Sequence, residues 1–158
     1  MIVMDIKTQL SNSMKEAMKS GDEVRKRTTR MALANIKQVE VDKQTALDDA
    51  AVISLLQKEI KNRREAVEEA KKANRADLVA DNEAEIKVIE SFLPKAMPAE
   101  ELRTLAQAAI AEVGAASPAD MGKVMKALLP RVAGRAAGDQ VSALVKELLT
   151  KQDVSLNR

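Results

Sequence analysis

Several residue types on which protein chemistry often depends are missing from this chain. Its 158 residues include no Cys, His, Trp or Tyr, and Phe92 is the single aromatic residue. The lack of Cys excludes disulfides, thiolate nucleophiles and Cys-ligated metal sites. The lack of His removes the usual general base near neutral pH and the commonest metal ligand. Stacking of unpaired nucleic-acid bases has almost no support without aromatic side chains. We therefore expect no metal, no cofactor and no catalytic residues, which disfavours an enzyme without excluding one.

Long hydrophobic runs are missing too. No stretch of Ala, Val, Ile, Leu and Met exceeds four residues, which is far shorter than a membrane-spanning helix. Charges at Asp5 and Lys7 interrupt any signal-peptide core. The net charge is only +2, so the total charge says little about partners. We expect a cytoplasmic protein that does not enter a membrane.

Gly and Pro are scarce, with five and four residues respectively, whereas helix-forming residues dominate. The apolar periodicity and the position of these breakers predict seven helices. Gly21 and Gly114 should stop helices, Asp22 should cap one, and Ser117 with Pro118 should start another. The predicted helices run from about Asp5 to Ser20, Asp22 to Val41, Asp48 to Ala73, Arg75 to Phe92, Ala99 to Val113, Pro118 to Leu129 and Asp139 to Thr150.

Two prolines mark the best candidate for a domain boundary. Pro94 and Pro98 bracket a short linker between four longer and three shorter predicted helices. The expected architecture is all-α, with an N-terminal helical bundle and a small C-terminal three-helix domain. We assign residues 1–94 to the bundle, 98–150 to the three-helix domain and 151–158 to a flexible tail.

Polar residues interrupt the apolar faces of the predicted bundle helices. If these faces converge, they bring together two acids, two arginines and one amide: Asn35, Glu59, Arg63, Arg75 and Glu85. One interpretation is an active site with a carboxylate poised as acid or base. The alternative is a structural ion-pair network, and it is favoured because an adjacent arginine keeps a carboxylate ionised, whereas a general acid needs a raised pKa.

Basic residues are concentrated in blocks. Every charged residue from 24 to 37 is basic, and Lys26, Arg30 and Lys37 lie within about 40° of one another on a helical projection. Such a stripe can follow a phosphate backbone without reading sequence, although an ordinary solvated helix face would look similar. The candidate RNA-binding residues are Lys26, Arg27, Arg30, Lys37, Lys61, Arg64, Lys123, Lys126, Arg131 and Arg135. The last two lie in a glycine-containing loop that is either an anion site or a tight turn.

One run of residues is specific enough to suggest a family. The stretch Asp-Met-Gly-Lys-Val-Met-Lys-Ala-Leu-Leu-Pro-Arg-Val-Ala-Gly-Arg-Ala, residues 120–136, resembles the GatB/YqeY family. Supporting matches include Lys58 to Arg64, Arg75 to Leu78 and Phe92 to Pro94. The resemblance covers nearly the whole chain and is closest to free-standing members, related to the tail domain of the tRNA amidotransferase B subunit. One departure is Ala137, which stands where the family usually has an acid; Asp139 is the nearest replacement as a helix cap.

The resemblance implies a two-part all-α fold and a connection to tRNA. The leading hypothesis is a non-catalytic helper that binds tRNA or other RNA through its basic stripe. A second hypothesis is a docking module for a protein partner in tRNA aminoacylation or amidation, with Met121, Met125 and the alanine-rich fifth helix as adaptable surface. The third is carbon–nitrogen ligase activity with glutamine as amido donor, which the resemblance suggests and the missing Cys and His disfavour.

Overall fold

The computed structural model describes residues 4–156, and the side chains of residues 4–152. Within that range the regular secondary structure is helical, with no strand, so the predicted all-α class is confirmed. The described residues form seven α-helices: α1 Ile6–Ser20, α2 Glu23–Lys43, α3 Asp49–Lys72, α4 Ala76–Glu90, α5 Ala99–Val113, α6 Met121–Val132 and α7 Gly138–Leu156.

Aspartates start the first three helices. The side chains of Asp5, Asp22 and Asp48 accept hydrogen bonds from backbone N–H groups three residues further along, with Asp5 to Thr8 at 2.7 Å the shortest. Each carboxylate satisfies a donor that has no partner inside the helix. Gly21 and Gly114 end α1 and α5 with φ of 79° and 67°, a left-handed conformation that glycine adopts without strain. These helix starts and stops agree with the helix boundaries predicted from the sequence.

The chain divides into two compact units, Met1–Leu93 and Pro94–Arg158. In the N-terminal unit, α1 packs on α2, α3 packs on α4, and α2 also packs on α4. Its core includes the fully buried side chains of Leu10, Ile36 and Leu56. In the C-terminal unit, α5, α6 and α7 enclose a second core, which includes Leu128 and Val145.

The start of α6 differs from the prediction. Pro118–Asp120 forms a 3₁₀ turn, closed by the Asp120 N–H to the Ser117 carbonyl at 2.9 Å, and α6 itself begins at Met121. The Ser117 side chain makes no capping hydrogen bond, whereas the Asp120 carboxylate accepts from the Ala116 N–H at 3.0 Å. The Asp120 carboxylate therefore binds the residue before the predicted cap, and Ser117 does not cap the helix with its side chain.

The end of the chain also differs. Helix α7 begins at Gly138 and continues to Leu156 instead of ending near Thr150. The described part of the predicted tail, residues 151–156, is therefore a continuation of the helix. One ion pair stabilises this extension, between Lys151 Nζ and Glu147 Oε1 at 2.8 Å, one helical turn apart.

Glu40 fastens the connection between α2 and α3. Its Oε2 atom accepts hydrogen bonds from the Leu47 backbone N–H at 2.8 Å and from Lys7 Nζ at 3.0 Å. The bond to Leu47 and then the bond to Lys7 lower the pKa of the Glu40 carboxyl below its ordinary value of 4.5. One side chain thus ties together α1, α2 and the loop that leads to α3.

We expect this contribution to depend on pH. A lowered carboxyl pKa in the folded state means that Glu40 stabilises the fold above pH 4.5 and that the stabilisation is lost as the pH falls through the folded-state pKa. Glu40→Gln should lower the urea midpoint of the N-terminal unit near neutral pH. The difference in urea midpoint between Glu40→Gln and wild type should become smaller as the pH is lowered into the acid range. A gap that stays constant with pH would show that the charge of Glu40 does not stabilise the loop.

Candidate functional site

The polar residues predicted to interrupt the apolar faces meet at the junction of α2, α3 and α4. Glu59 on α3 is only 7% exposed. Its Oε1 accepts from Asn35 Nδ2 of α2 at 2.5 Å, and its Oε2 lies 3.4 Å from Arg63 Nη1. Arg63 Nε donates to Glu85 Oε2 of α4 at 3.0 Å. Four of the five predicted members, namely Asn35, Glu59, Arg63 and Glu85, therefore form one cluster, which we call the α3 ion-pair cluster.

Arg75 is the exception, and the prediction that it joins this cluster is wrong. Arg75 directly precedes α4 and pairs with Asp77 at 2.9 Å on the exposed surface. Arg27 takes the place that Arg75 was expected to fill: its Nε donates to Glu85 Oε1 at 3.0 Å, and its Nη2 lies 3.9 Å from Asp81 Oδ1. A helical projection gives the direction of a side chain on its own helix but not which neighbouring helix it meets.

The contacts in the α3 ion-pair cluster fit a structural role. Glu85 is shared between two guanidinium groups and Glu59 between a guanidinium and an amide. No buried side-chain nitrogen or oxygen among the described residues lacks a hydrogen-bond partner. This balance satisfies the requirement that buried charges be paired and hydrogen-bonded.

Four carboxyl groups of the described chain have a lowered pKa. Hydrogen bonds from Thr8, Leu47, Arg75 and Lys151 are the largest causes of a lowered pKa at Asp5, Glu40, Asp77 and Glu147 respectively. A carboxyl that acts as a general acid near neutral pH needs a raised pKa. These four groups are therefore held as carboxylates.

The predicted basic stripe lies on the outer face of α2. Lys26 pairs with Glu23 at 2.9 Å, and Glu23 is itself exposed. Arg30 is exposed and forms no ion pair with another described residue. Lys37 is exposed and lies near Glu40. Its positive charge makes a smaller contribution to the lowered pKa of the Glu40 carboxyl than the two hydrogen bonds do, and burial acts in the opposite direction. We call Lys26, Arg30 and Lys37 the α2 basic stripe; Arg27, which was predicted beside it, belongs to the α3 ion-pair cluster.

The other predicted RNA-binding cations fall into two groups. Lys61, Lys123 and Lys126 are exposed, and neither Lys123 nor Lys126 pairs with an acid in the described part of the chain. Arg64, Arg131 and Arg135 are engaged with acids of their own unit: Arg64 with Glu90 at 3.4 Å, Arg131 with Glu112, and Arg135 with Glu101. The stripe on α2 and the two lysines on α6 belong to different units.

Arg135 is a clamp rather than an open anion site. Its guanidinium donates to both carboxylate oxygens of Glu101, at 3.0 and 3.3 Å, and to the Lys95 carbonyl at 3.1 Å. Its own carbonyl accepts from the Met97 N–H at 2.8 Å. The loop between α6 and α7 is thereby bound to the residues that precede α5. Asp139 lies within the first turn of α7 and accepts from the adjacent Gln140 N–H, so it does not take the capping position suggested by the sequence.

The surface expected to supply a protein-docking patch is mostly internal. Ala106 and Ala109 of α5 are fully buried, and Met121 and Met125 pack against the core of the C-terminal unit. A groove of about 330 Å³ lies instead between α5 and α7, lined in part by Leu102 and Leu144. Sequence periodicity could not reveal it, because it arises from the packing of two helices.

The described residues lack two features that would indicate other functions. They contain no group of three Asp or Glu side chains arranged to hold a metal ion. None of their helices combines the length and the hydropathy that crossing a membrane requires.

Comparison with known proteins identifies the family. A family model described as "Yqey-like protein" matches residues 7–149, which is nearly the whole chain. The chain belongs to the YqeY-like family. This confirms the resemblance read from residues 120–136 and from the matching stretches upstream. Membership assigns no reaction and no ligand by itself.

Curated relatives of the YqeY-like chain come from yeasts. It is 40% identical over 91 residues to "Altered inheritance of mitochondria protein 41, mitochondrial" of Lachancea thermotolerans, covering 57% of this chain and 49% of the relative. The proteins of the same name in Vanderwaltozyma polyspora and Eremothecium gossypii are 35% and 34% identical, over 58% and 69% of this chain and 51% and 61% of their own lengths. The chain thus spans about half of the first two relatives and somewhat more of the third.

These names correct the expected location. The sequence was expected to be cytoplasmic, but the relatives in four yeasts are named mitochondrial proteins, so that expectation is wrong as judged by the family. The physical reason is simple: the lack of a signal-peptide core and of apolar spans is shared by proteins of the cytoplasm and by proteins inside an organelle. Neither feature distinguishes the two.

Proposed function

We propose that this YqeY-like chain is a non-catalytic RNA-binding protein that contacts the phosphate backbone, with tRNA as the first ligand to test. The α2 basic stripe is the observation that supports this most directly. Its three cations lie along one side of α2, with Arg30 and Lys37 exposed and Lys26 partly exposed, and every charged residue of that helix from Arg25 to Lys37 is basic. Such a line neutralises successive phosphates and releases their counterions.

The cations of the α2 basic stripe are held only weakly by acids of the same chain, so phosphate groups can bind to them. Arg30 has no acidic partner in the described structure, and the Lys26–Glu23 pair is a surface pair. Exposed pairs of this kind contribute only about 0 to 1 kcal/mol. A phosphate group can therefore replace Glu23 at little energetic cost, whereas Arg27 is held by two acids of α4 and is not part of the proposed contact.

The proposed recognition is independent of base sequence. Lys and Arg side chains on a helix surface position a nucleic acid through its phosphates, and base edges are read only by side chains that enter a groove or a loop. The chain offers almost no aromatic surface for unpaired bases. The carbon–nitrogen ligase alternative rests on the resemblance alone.

The test is tRNA binding by the purified chain across a salt series. Wild type should bind saturably at low salt, with log affinity falling linearly against log salt concentration. Replacing Lys26, Arg30 and Lys37 together by Ala should reduce that slope by about 2 to 3, because each phosphate contact contributes close to one. Fluorescence anisotropy of labelled tRNA gives both affinity and slope.

A control variant distinguishes loss of the proposed binding site from loss of total positive charge. Lys58, Lys71 and Lys72 are exposed cations on α3, so their joint replacement by Ala removes the same charge elsewhere and should leave the slope close to wild type. Equal slopes for the two triple variants would exclude the α2 basic stripe as the site. A variant lacking Lys123 and Lys126 tests the C-terminal unit separately. Absence of binding by wild type even at low salt would refute the proposed function.

A further inference from the structure

The guanidinium at the centre of the α3 ion-pair cluster has one weak hydrogen bond. Arg63 is only 11% exposed, and its Nε and Nη1 atoms face the carboxylates of Glu85 and Glu59. Its Nη2 atom donates instead to the sulfur of Met31 at 3.4 Å. A thioether is a weak acceptor, so this corner of the guanidinium is the least well satisfied part of the cluster.

The methionine that supplies this sulfur is about half exposed to solvent. Met31 lies on α2 and is 51% exposed, although its sulfur touches a nearly buried cation. Accessible methionines are oxidised to the sulfoxide, a change that enzymes reverse. The new oxygen is a far stronger hydrogen-bond acceptor than the thioether that it replaces.

We propose that Met31 is a site of oxidation to the sulfoxide and that Arg63 holds the resulting sulfoxide. The oxidant is a hydroperoxide, with hydrogen peroxide as the simplest case. A sulfur lone pair attacks one oxygen of hydrogen peroxide, and the S–O bond forms as the O–O bond breaks. Sulfur loses two electrons, and the proton of the transferred oxygen passes to the other oxygen, which leaves as water. The sulfoxide oxygen then accepts from Arg63 Nη2 in place of the sulfur, after the half-exposed Met31 side chain has moved back to make room for it.

The direction of the effect is unusual. Methionine oxidation commonly disrupts a fold because it places a polar group among apolar side chains. At Met31 the oxygen instead meets a donor that belongs to an ion-pair cluster linking α2, α3 and α4. Oxidation at this one residue is therefore stabilising for the N-terminal unit, independently of any binding to RNA.

Limited treatment of the full chain with hydrogen peroxide tests the proposal. Met18 is the internal standard, because it is equally exposed at 55% on α1. Peptide mass spectrometry should show that Met31 gains one oxygen over the same range of peroxide concentrations as Met18. The thermal midpoint should be measured by circular dichroism before and after treatment for wild type and for Met31→Leu. Peroxide treatment should change the thermal midpoint of wild type more favourably than that of Met31→Leu, by about 2 to 4 °C toward higher temperature.

A second variant tests the hydrogen bond without peroxide. Met31→Gln places an amide oxygen near Arg63 and should melt above Met31→Leu, which places no acceptor there. Three results would overturn the proposal: Met31 unmodified when Met18 is fully converted, a treatment shift in wild type no higher than in Met31→Leu, or Met31→Gln melting at or below Met31→Leu.

Discussion

Replacing Arg63 with Leu is expected to lower the free energy of unfolding by about 3 kcal/mol. The guanidinium is the common partner of Glu59 and Glu85. Its removal leaves Glu59, which is almost fully buried, with only the amide of Asn35 among its side-chain contacts described here. An unpaired buried carboxylate costs far more than the pair itself contributes. Urea denaturation followed by circular dichroism measures the loss.

The neighbouring residue provides the matched control. Arg64 follows Arg63 on α3 and forms an exposed ion pair with Glu90 of α4. Arg64→Leu breaks this pair and should lower the free energy of unfolding by no more than about 1 kcal/mol. A double variant, Glu59→Leu with Arg63→Leu, should recover part of the loss because it removes the unpaired charge together with its partner. If Arg63→Leu were no worse than Arg64→Leu, the cluster would have to be solvated rather than buried.

Replacing Arg135 with Ala is expected to destabilise the C-terminal unit by about 2 kcal/mol. The side chain donates three hydrogen bonds, two of them to the carboxylate of Glu101 and one to the Lys95 carbonyl. Hydrogen bonds to charged groups contribute more than neutral ones, and the partial exposure of this side chain, 34%, reduces the effect. The loss should appear as a lower urea midpoint for this unit.

Two substitutions show whether geometry or charge is responsible. Arg135→Lys keeps the charge, but an ammonium group cannot bridge both oxygens of Glu101 and also reach a carbonyl, so most of the loss should remain. Arg131→Ala removes a neighbouring arginine from a surface pair with Glu112 and should cost less than about 1 kcal/mol. Full stability of Arg135→Lys would mean that only the positive charge matters.

The sequence was most informative where structure depends on local chemistry. The Asp22 cap and the glycine stops at positions 21 and 114 were recognised because each acts within one turn of its own helix. The class of fold and the family followed from helix-forming composition and from one specific run of residues. The 3₁₀ turn at Pro118–Asp120 was missed, since both a 3₁₀ and an α start suit the same residues.

Contacts between helices were the part that periodicity could not supply. The projection placed Arg75 in the polar cluster and Arg27 with the basic stripe, and only the packing of α2 on α4 decides that Arg27 meets Glu85. Arg135 was assigned to a possible anion site because its partner, Glu101, is 34 residues away.

Pro130 within α6 has a consequence for local dynamics. Proline has no N–H to donate, so the Lys126 carbonyl has no helical hydrogen bond from that position, and the ring crowds the same carbonyl. The last turn of α6 is therefore held by fewer backbone bonds than the rest of the helix. Amide hydrogen exchange should be fastest there, and brief openings of this turn would loosen the Arg135 clamp that follows it without unfolding the core around Leu128.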